Sequence, residues 1–120
     1  MANCYYLGRG WGLAEITTLA EQTYLLNMVK NHPEVSCGSR LIVGPNRKKD
    51  INVWVDRSLG PAKAITYPID WYPGEPNNAG GIERCMAIFK GNTITKMMDM
   101  ECDNERNLKF PFICTHTEYY

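Results

Sequence analysis

Five cysteines, at positions 4, 37, 85, 102 and 114, constrain this chain of 120 residues more than any other feature. No two of them form a Cys-x-x-Cys pair, which argues against a zinc ribbon or a thioredoxin-like redox site. Cysteines this widely spaced in a small domain read as disulfides, and disulfides persist in oxidising, extracellular surroundings. Two bridges leave one cysteine over, and spacing alone leaves the pairing open. The length suits one hydrophobic core and not two, so residues 1–120 are expected to form a single domain. The opening Met-Ala-Asn-Cys-Tyr-Tyr has neither the basic nor the apolar region of a secretory leader. A secreted protein would therefore be seen here as a mature form with an added Met, or would leave by another route.

Composition removes several function classes. Lys+Arg 13 against Asp+Glu 13 gives zero formal net charge, without the basic excess that phosphate neutralisation demands, so no nucleic-acid partner is expected. No apolar run approaches the length of a membrane span, so no membrane insertion is expected. Three Trp, seven Tyr and three Phe supply the core material that a disordered chain lacks.

Along the chain, Thr18-Leu19-Ala20-Glu21 is a capping box that opens a helix. Leu19, Leu25, Leu26 and Val29 give that helix an apolar side, and Asn31-His32-Pro33 ends it. Segments 39–43 and 51–55 read as short strands around a charged turn, 45–50, whose Arg47-Lys48-Lys49 reads as solvated. A stretch rich in Gly, Pro and Asn follows over residues 56–82. A loop this long inside a compact domain is most often functional, and Trp71, Tyr72 and Ile82 argue that it is ordered. Segments 84–89, 93–98 and 110–115 read as three more strands. The fold class is therefore α+β, with antiparallel strands after one clear helix and a further, shortened helix possible before residue 13.

The long loop carries the chemistry. It contains Trp71-Tyr72-Pro73-Gly74-Glu75-Pro76-Asn77-Asn78, followed by Glu83-Arg84-Cys85, with Asp99 further on. Glu75, Asn77, Glu83 and Asp99 are hard oxygen donors from two segments that a Cys85–Cys102 bridge would hold side by side. Such a set suits Ca²⁺, which accepts six to eight oxygens in irregular geometry. A cis bond before Pro76, cheap for an X-Pro peptide, would turn the carbonyls of Glu75 and Asn77 to one side. The competing reading is that these polar turn residues are simply solvated.

Trp71-x-x-Gly74-Glu75-Pro76-Asn77-Asn78, Glu83-x-Cys85, Cys102 and Phe110-x-Phe112-Ile113-Cys114 together resemble a C-type lectin-like domain. Leu13-Ala14-x-Ile16-x-Thr18-x-x-Glu21 resembles the segment that leads into that family's second helix. Leu41-Ile42-Val43-Gly44 and Trp54-Val55-Asp56 also fit, so the resemblance runs from about Leu13 to Cys114. It implies a double-loop fold of short antiparallel sheets, one or two helices and a long calcium- and sugar-binding loop. Glu-Pro-Asn in this family goes with sugars bearing equatorial 3- and 4-hydroxyls: mannose, glucose, N-acetylglucosamine and related fucose geometry. Carried over by position, Glu75, Asn77, Glu83 and Asp99 would hold both Ca²⁺ and sugar. Each hydroxyl would donate to a carboxylate, accept from an amide and give its oxygen to the metal. The resemblance further implies a secreted lectin with a part in innate recognition, not an enzyme.

Two departures stand out. Where the family has Trp-Asn-Asp this chain has Met97-Met98-Asp99, and a thioether is a poor ligand for a hard cation. Losing one amide donor to a sugar hydroxyl would cost about 1 kcal/mol, roughly fivefold in affinity; Asp103 or Asn104 are weak candidates to compensate. Near the N-terminus, Cys4-Tyr5-Tyr6 and Trp11-x-x-Ala14 look like the family's opening strand and first helix run together. The implied bridges are Cys4–Cys114 and Cys85–Cys102. Cys37 is then left for an interchain link, as a reactive thiol, or as a buried free cysteine. Weak monovalent sugar binding favours several sites per assembly, so a homodimer is expected. His32 and His116 have no nucleophile motif beside them, and Glu75 with Glu83 make an unconvincing glycosidase pair. The alternative to a calcium-dependent lectin is a calcium-independent protein-interaction module on the same fold.

Overall fold

The computed structural model describes residues 11–47, 54–56, 63–78, 83–100 and 113–116. Within them the chain runs β1 (Trp11–Leu13), α1 (Leu19–Asn31), β2 (Arg40–Arg47), β3 (Trp54–Asp56), β4 (Lys63–Ala64), β5 (Cys85–Lys90), β6 (Thr95–Met100) and β7 (Cys114–His116). The architecture is α+β, compatible with a C-type lectin-like fold. Cys4, Cys102, Asp103 and Asn104 lie outside the described residues.

The helix starts where the capping box puts it. Thr18 takes the N–H of Glu21 on its hydroxyl at 3.1 Å, and Glu21 returns the bond to the Thr18 N–H at 3.1 Å. Leu25, Leu26 and Val29 are buried as their spacing predicts, but Leu19 is 48% exposed. In the first turn of α1, Leu19 stands off the stripe that meets the sheet. The helix ends at His32, in extended conformation, and Lys90 caps its C-terminal side by donating to the His32 carbonyl at 2.9 Å.

Five strands form one antiparallel sheet in the order β4-β3-β2-β5-β6, and β1 pairs with β7 in a second, two-stranded ladder. The ladders meet through Ala14, whose N–H bonds the Ile113 carbonyl at 2.7 Å and whose carbonyl takes the Gly44 N–H at 2.7 Å. Trp11–Leu13 is strand, and the residues before it, which would carry a shortened helix, lie outside the described residues. β2 extends to Arg47, so Pro45, Asn46 and Arg47 belong to the sheet and not to a solvated turn. A register shift between Val43 and Asn46 accommodates them. β6 begins two residues later than its pattern suggests and reaches Met100.

The sheet has two apolar faces. Leu41, Val43, Met86, Ile88 and Met97 pack with Leu25, Leu26 and Val29 of the helix, and with Ile16 and Trp54. Ile42, Cys85, Ala87 and Met100 form a smaller cluster on the other face, with Met98 packed against it. Strand alternation explains this division, since neighbours along a strand point to opposite sides. It also fixes the place of Asp99. Residue 99 shares a face with Met97 and stands directly opposite Met86 in the register, on the helix-and-loop side.

Candidate functional site

The loop reaches the sheet on a series of polar anchors. Gln22, a buried helix residue, donates to the Pro68 carbonyl at 3.2 Å and accepts the Asp70 N–H at 3.0 Å. Both polar ends of its amide are thereby satisfied, as burial requires. The Tyr67 hydroxyl donates to the Ile16 carbonyl at 2.7 Å, and Lys96 bridges both oxygens of Asp70 at 2.9 Å. Trp71 then forms a parallel bridge with Met97, with Met97 N–H to Asp70 carbonyl at 2.9 Å and Tyr72 N–H to Met97 carbonyl at 2.8 Å. The loop is in effect a short extra strand on the edge of β6. Trp71 sits against the core, its ring 5.4 Å from that of Trp54.

Beyond Trp71 the chain turns. Gly74 has φ +88, a conformation that favours glycine, and the Glu75 N–H closes the turn on the Tyr72 carbonyl at 2.8 Å. The Glu75–Pro76 peptide is cis. Asn78, at φ 45, occupies the left-handed region that Asn tolerates better than most residues. Its side-chain oxygen accepts the Glu83 N–H at 3.0 Å.

All of this converges on Asp99. Its side chain is fully buried, and its carboxylate accepts the Asn77 N–H at 3.1 Å on one oxygen and the Asn78 N–H at 2.8 Å on the other. The second oxygen also takes Nη2 of Arg47 at 2.7 Å. Glu75 lies against the same carboxylate. Its carboxyl is raised from an ordinary 4.5 to about 7 by burial first, then by a hydrogen bond to Asp99 and by the charges of Asp99 and Glu83. One of its oxygens, Oε1, is buried and has no hydrogen-bond partner.

The structure therefore gathers Glu75, Asn77, Glu83 and Asp99 into one neighbourhood. Two residues that sequence reasoning passed over belong there as well. Asn78 ties the two ends of the loop together. Arg47, read from sequence as part of a solvated basic turn, has a side chain only 7% exposed and is the counter-ion of Asp99. The available signal was its place at the end of a strand, in line with the inward residues of β2, but the run of charge after it masked that position. Met98 packs as a core-edge residue on the opposite face of β6, near Ile42 and Ala87, so position 98 offers no side chain to this cluster.

No family model matches the chain. Over 88 residues it is 32% identical to salivary C-type lectin 2 of Aedes albopictus, a match that takes in 71% of this chain and 55% of that protein. The chain is similar to a C-type lectin. The match supports the C-type lectin-like family, and the α+β architecture agrees with it. This chain spans about half the length of the curated relative it matches.

The donor set fits a hard divalent ion in type. Its side chains are carboxylates and an amide, and Glu75 keeps a buried oxygen without a donor. The oxygens are not gathered on one point, however. Among the described residues no three His, Cys, Asp or Glu side chains stand in a metal-holding group. Asp99 spends its oxygens on Arg47 and two backbone N–H groups instead.

The cysteines divide. Cys85 and Cys114 are disulfide-bonded. Cys37 is free and exposed, which removes the buried-thiol reading. Among the described residues no helix is long and apolar enough to cross a membrane.

Proposed function

We propose that this chain, residues 1–120, is a single carbohydrate-recognition domain that binds glycans through Glu75, Asn77, Glu83 and Asp99, with Ca²⁺ as its cofactor. The observation that carries the reading is the convergence of these four residues at the end of the anchored loop, with a buried Glu75 oxygen left without a donor. When bound, the ion supplies a positive centre for sugar hydroxyl oxygens. The chain's own carboxylates accept the hydroxyl protons, and the Asn77 amide donates in return. The Glu75-Pro76-Asn77 order supports mannose, N-acetylglucosamine and fucose-type sugars over galactose. No catalytic step is assigned to the site. Secretion accords with the disulfide-bonded Cys85 and Cys114 and with the salivary relative. The proposed bridges are Cys85–Cys102 and Cys4–Cys114. A homodimer would raise the avidity of a weak single site, and exposed Cys37 is placed to link it.

A second reading has an observation of its own. The buried Arg47–Asp99 pair already neutralises one ligand position, as a calcium-independent interaction module on this fold would require. Retention on immobilised mannose, N-acetylglucosamine and galactose in Ca²⁺, followed by chelator, separates the two. Retention on the first two with release by chelator is expected. Retention on galactose alone would sink the selectivity, and no retention on any column would favour the interaction module.

A further inference from the structure

The guanidinium of Arg47 is held from several sides. The residue ends β2, and its backbone N–H bonds the Arg84 carbonyl at 2.8 Å, which fixes the strand end against β5. Its guanidinium carbon lies 5.0 Å from the centroid of the Trp54 ring, where a cation is attracted by the electron-rich face. Nη2 reaches Asp99, while Nε is buried without a partner, so the fork makes less than its full set of bonds. The same Asp99 carboxylate receives the N–H groups of Asn77 and Asn78. Two strands of the sheet thus meet at this point, β2 through Arg47 and β6 through Asp99, and the loop docks on the Asp99 carboxylate. A fixed positive charge sits on the one carboxylate that is both fully buried and part of the proposed ligand set.

We propose that Arg47 is the resident counter-ion of this site: it keeps the 77–78 segment docked on Asp99 in the absence of metal, and it competes with a divalent cation for the Asp99 carboxylate. The inference rests on the proposed ligand role of Asp99. A buried carboxylate without a partner is strongly disfavoured, so a metal-free site needs a positive charge there. The same guanidinium opposes a second cation at that oxygen, because like charges a few ångströms apart repel strongly where water is excluded. An incoming ion and the guanidinium would share the Asp99 carboxylate, so binding must release or shift Arg47.

The test compares the wild type with Arg47→Gln and Arg47→Lys. Calcium affinity is measured by titration calorimetry, and thermal unfolding is followed in chelator and in Ca²⁺. Arg47→Gln is expected to bind Ca²⁺ about tenfold more tightly or better, to unfold at lower temperature in chelator, and to gain more from Ca²⁺ than the wild type does. Arg47→Lys, which keeps the charge, is expected to stay near the wild-type affinity. Equal affinity in Arg47→Gln and wild type, or no binding by either, would overturn the competition. If Arg47→Gln does not fold, the ¹⁵N signals of the Arg47 side chain decide in the wild type itself. They must shift as Ca²⁺ is added, and binding without a shift would overturn the proposal. Glycan retention by the wild type is read separately, so the lectin reading and the role of Arg47 can fail independently.

Discussion

Met97 and Asp99 lie two residues apart on the same face of β6, yet the molecule uses them in opposite ways. Met97 belongs to the half of the sheet covered by the helix, where Ile16, Val29, Val43, Met86 and Ile88 are buried to within 1% of full burial. Asp99 belongs to the half covered by the loop, where a buried carboxylate gathers two backbone N–H groups and a guanidinium. In the first half water is excluded by apolar area, which is non-directional and tolerates exchange of one aliphatic residue for another. In the second a buried charge is tolerated only while its hydrogen-bond and ion-pair partners are in place. The lesson is that this sheet carries a permissive region and an exacting one side by side, and the exacting one underlies the candidate site.

The sharpest way to break that contrast is Asp99→Ala. It strands Arg47 as a buried charge and frees the Asn77 and Asn78 N–H groups, so a loss of about 3–5 kcal/mol is expected in urea unfolding of the metal-free protein, together with loss of glycan retention. Ile88→Ala, in the apolar half, should cost about 2–5 kcal/mol through transfer and cavity terms, while retention per folded molecule stays unchanged. If retention falls with Ile88→Ala as it does with Asp99→Ala, the two halves are not separable.

A smaller effect follows from Glu75. Its carboxyl is raised in the folded protein from 4.5 to about 7, so the folded state holds that proton more tightly than the unfolded chain does. The contribution is complete below about 4.5 and is lost as pH rises through about 7. In chelator, the melting temperature should therefore fall over that interval by more in the wild type than in Glu75→Gln. Equal slopes would remove Glu75 from the charged cluster. The least expected change is Thr18→Ala, about 1 kcal/mol from loss of the cap, with no effect on Ca²⁺ or glycan binding.

Much of the first half was legible in the sequence. Capping box, helix stripe and strand alternation are local patterns, and each depends on residues a few positions apart. Leu19 opens the helix and stands 48% exposed, off the stripe of Leu25, Leu26 and Val29. The β2 boundary was misplaced because Pro45 and Asn46 carry turn propensity, whereas pairing with Cys85 and Val55 holds Asn46 in the sheet. In the second half, the residue types Glu75, Asn77, Glu83 and Asp99 were readable as a donor set, but their partners were not. Arg47 is separated from Asp99 by 52 positions, and its neighbours Lys48 and Lys49 made it look like ordinary surface charge.

The sequence by itself determined the elements and the donor chemistry: an amphipathic helix with its start marked, a set of short strands, and oxygen-bearing residues around a Glu-Pro-Asn turn. Only the tertiary structure decided the direction of those side chains. The strand register placed Met98 on the far face and Asp99 beneath the loop, and the end of β2 brought a guanidinium to that carboxylate. Periodicity is a property of neighbours along the chain, whereas an ion pair is a property of neighbours in space, and a buried charge must find its partner there.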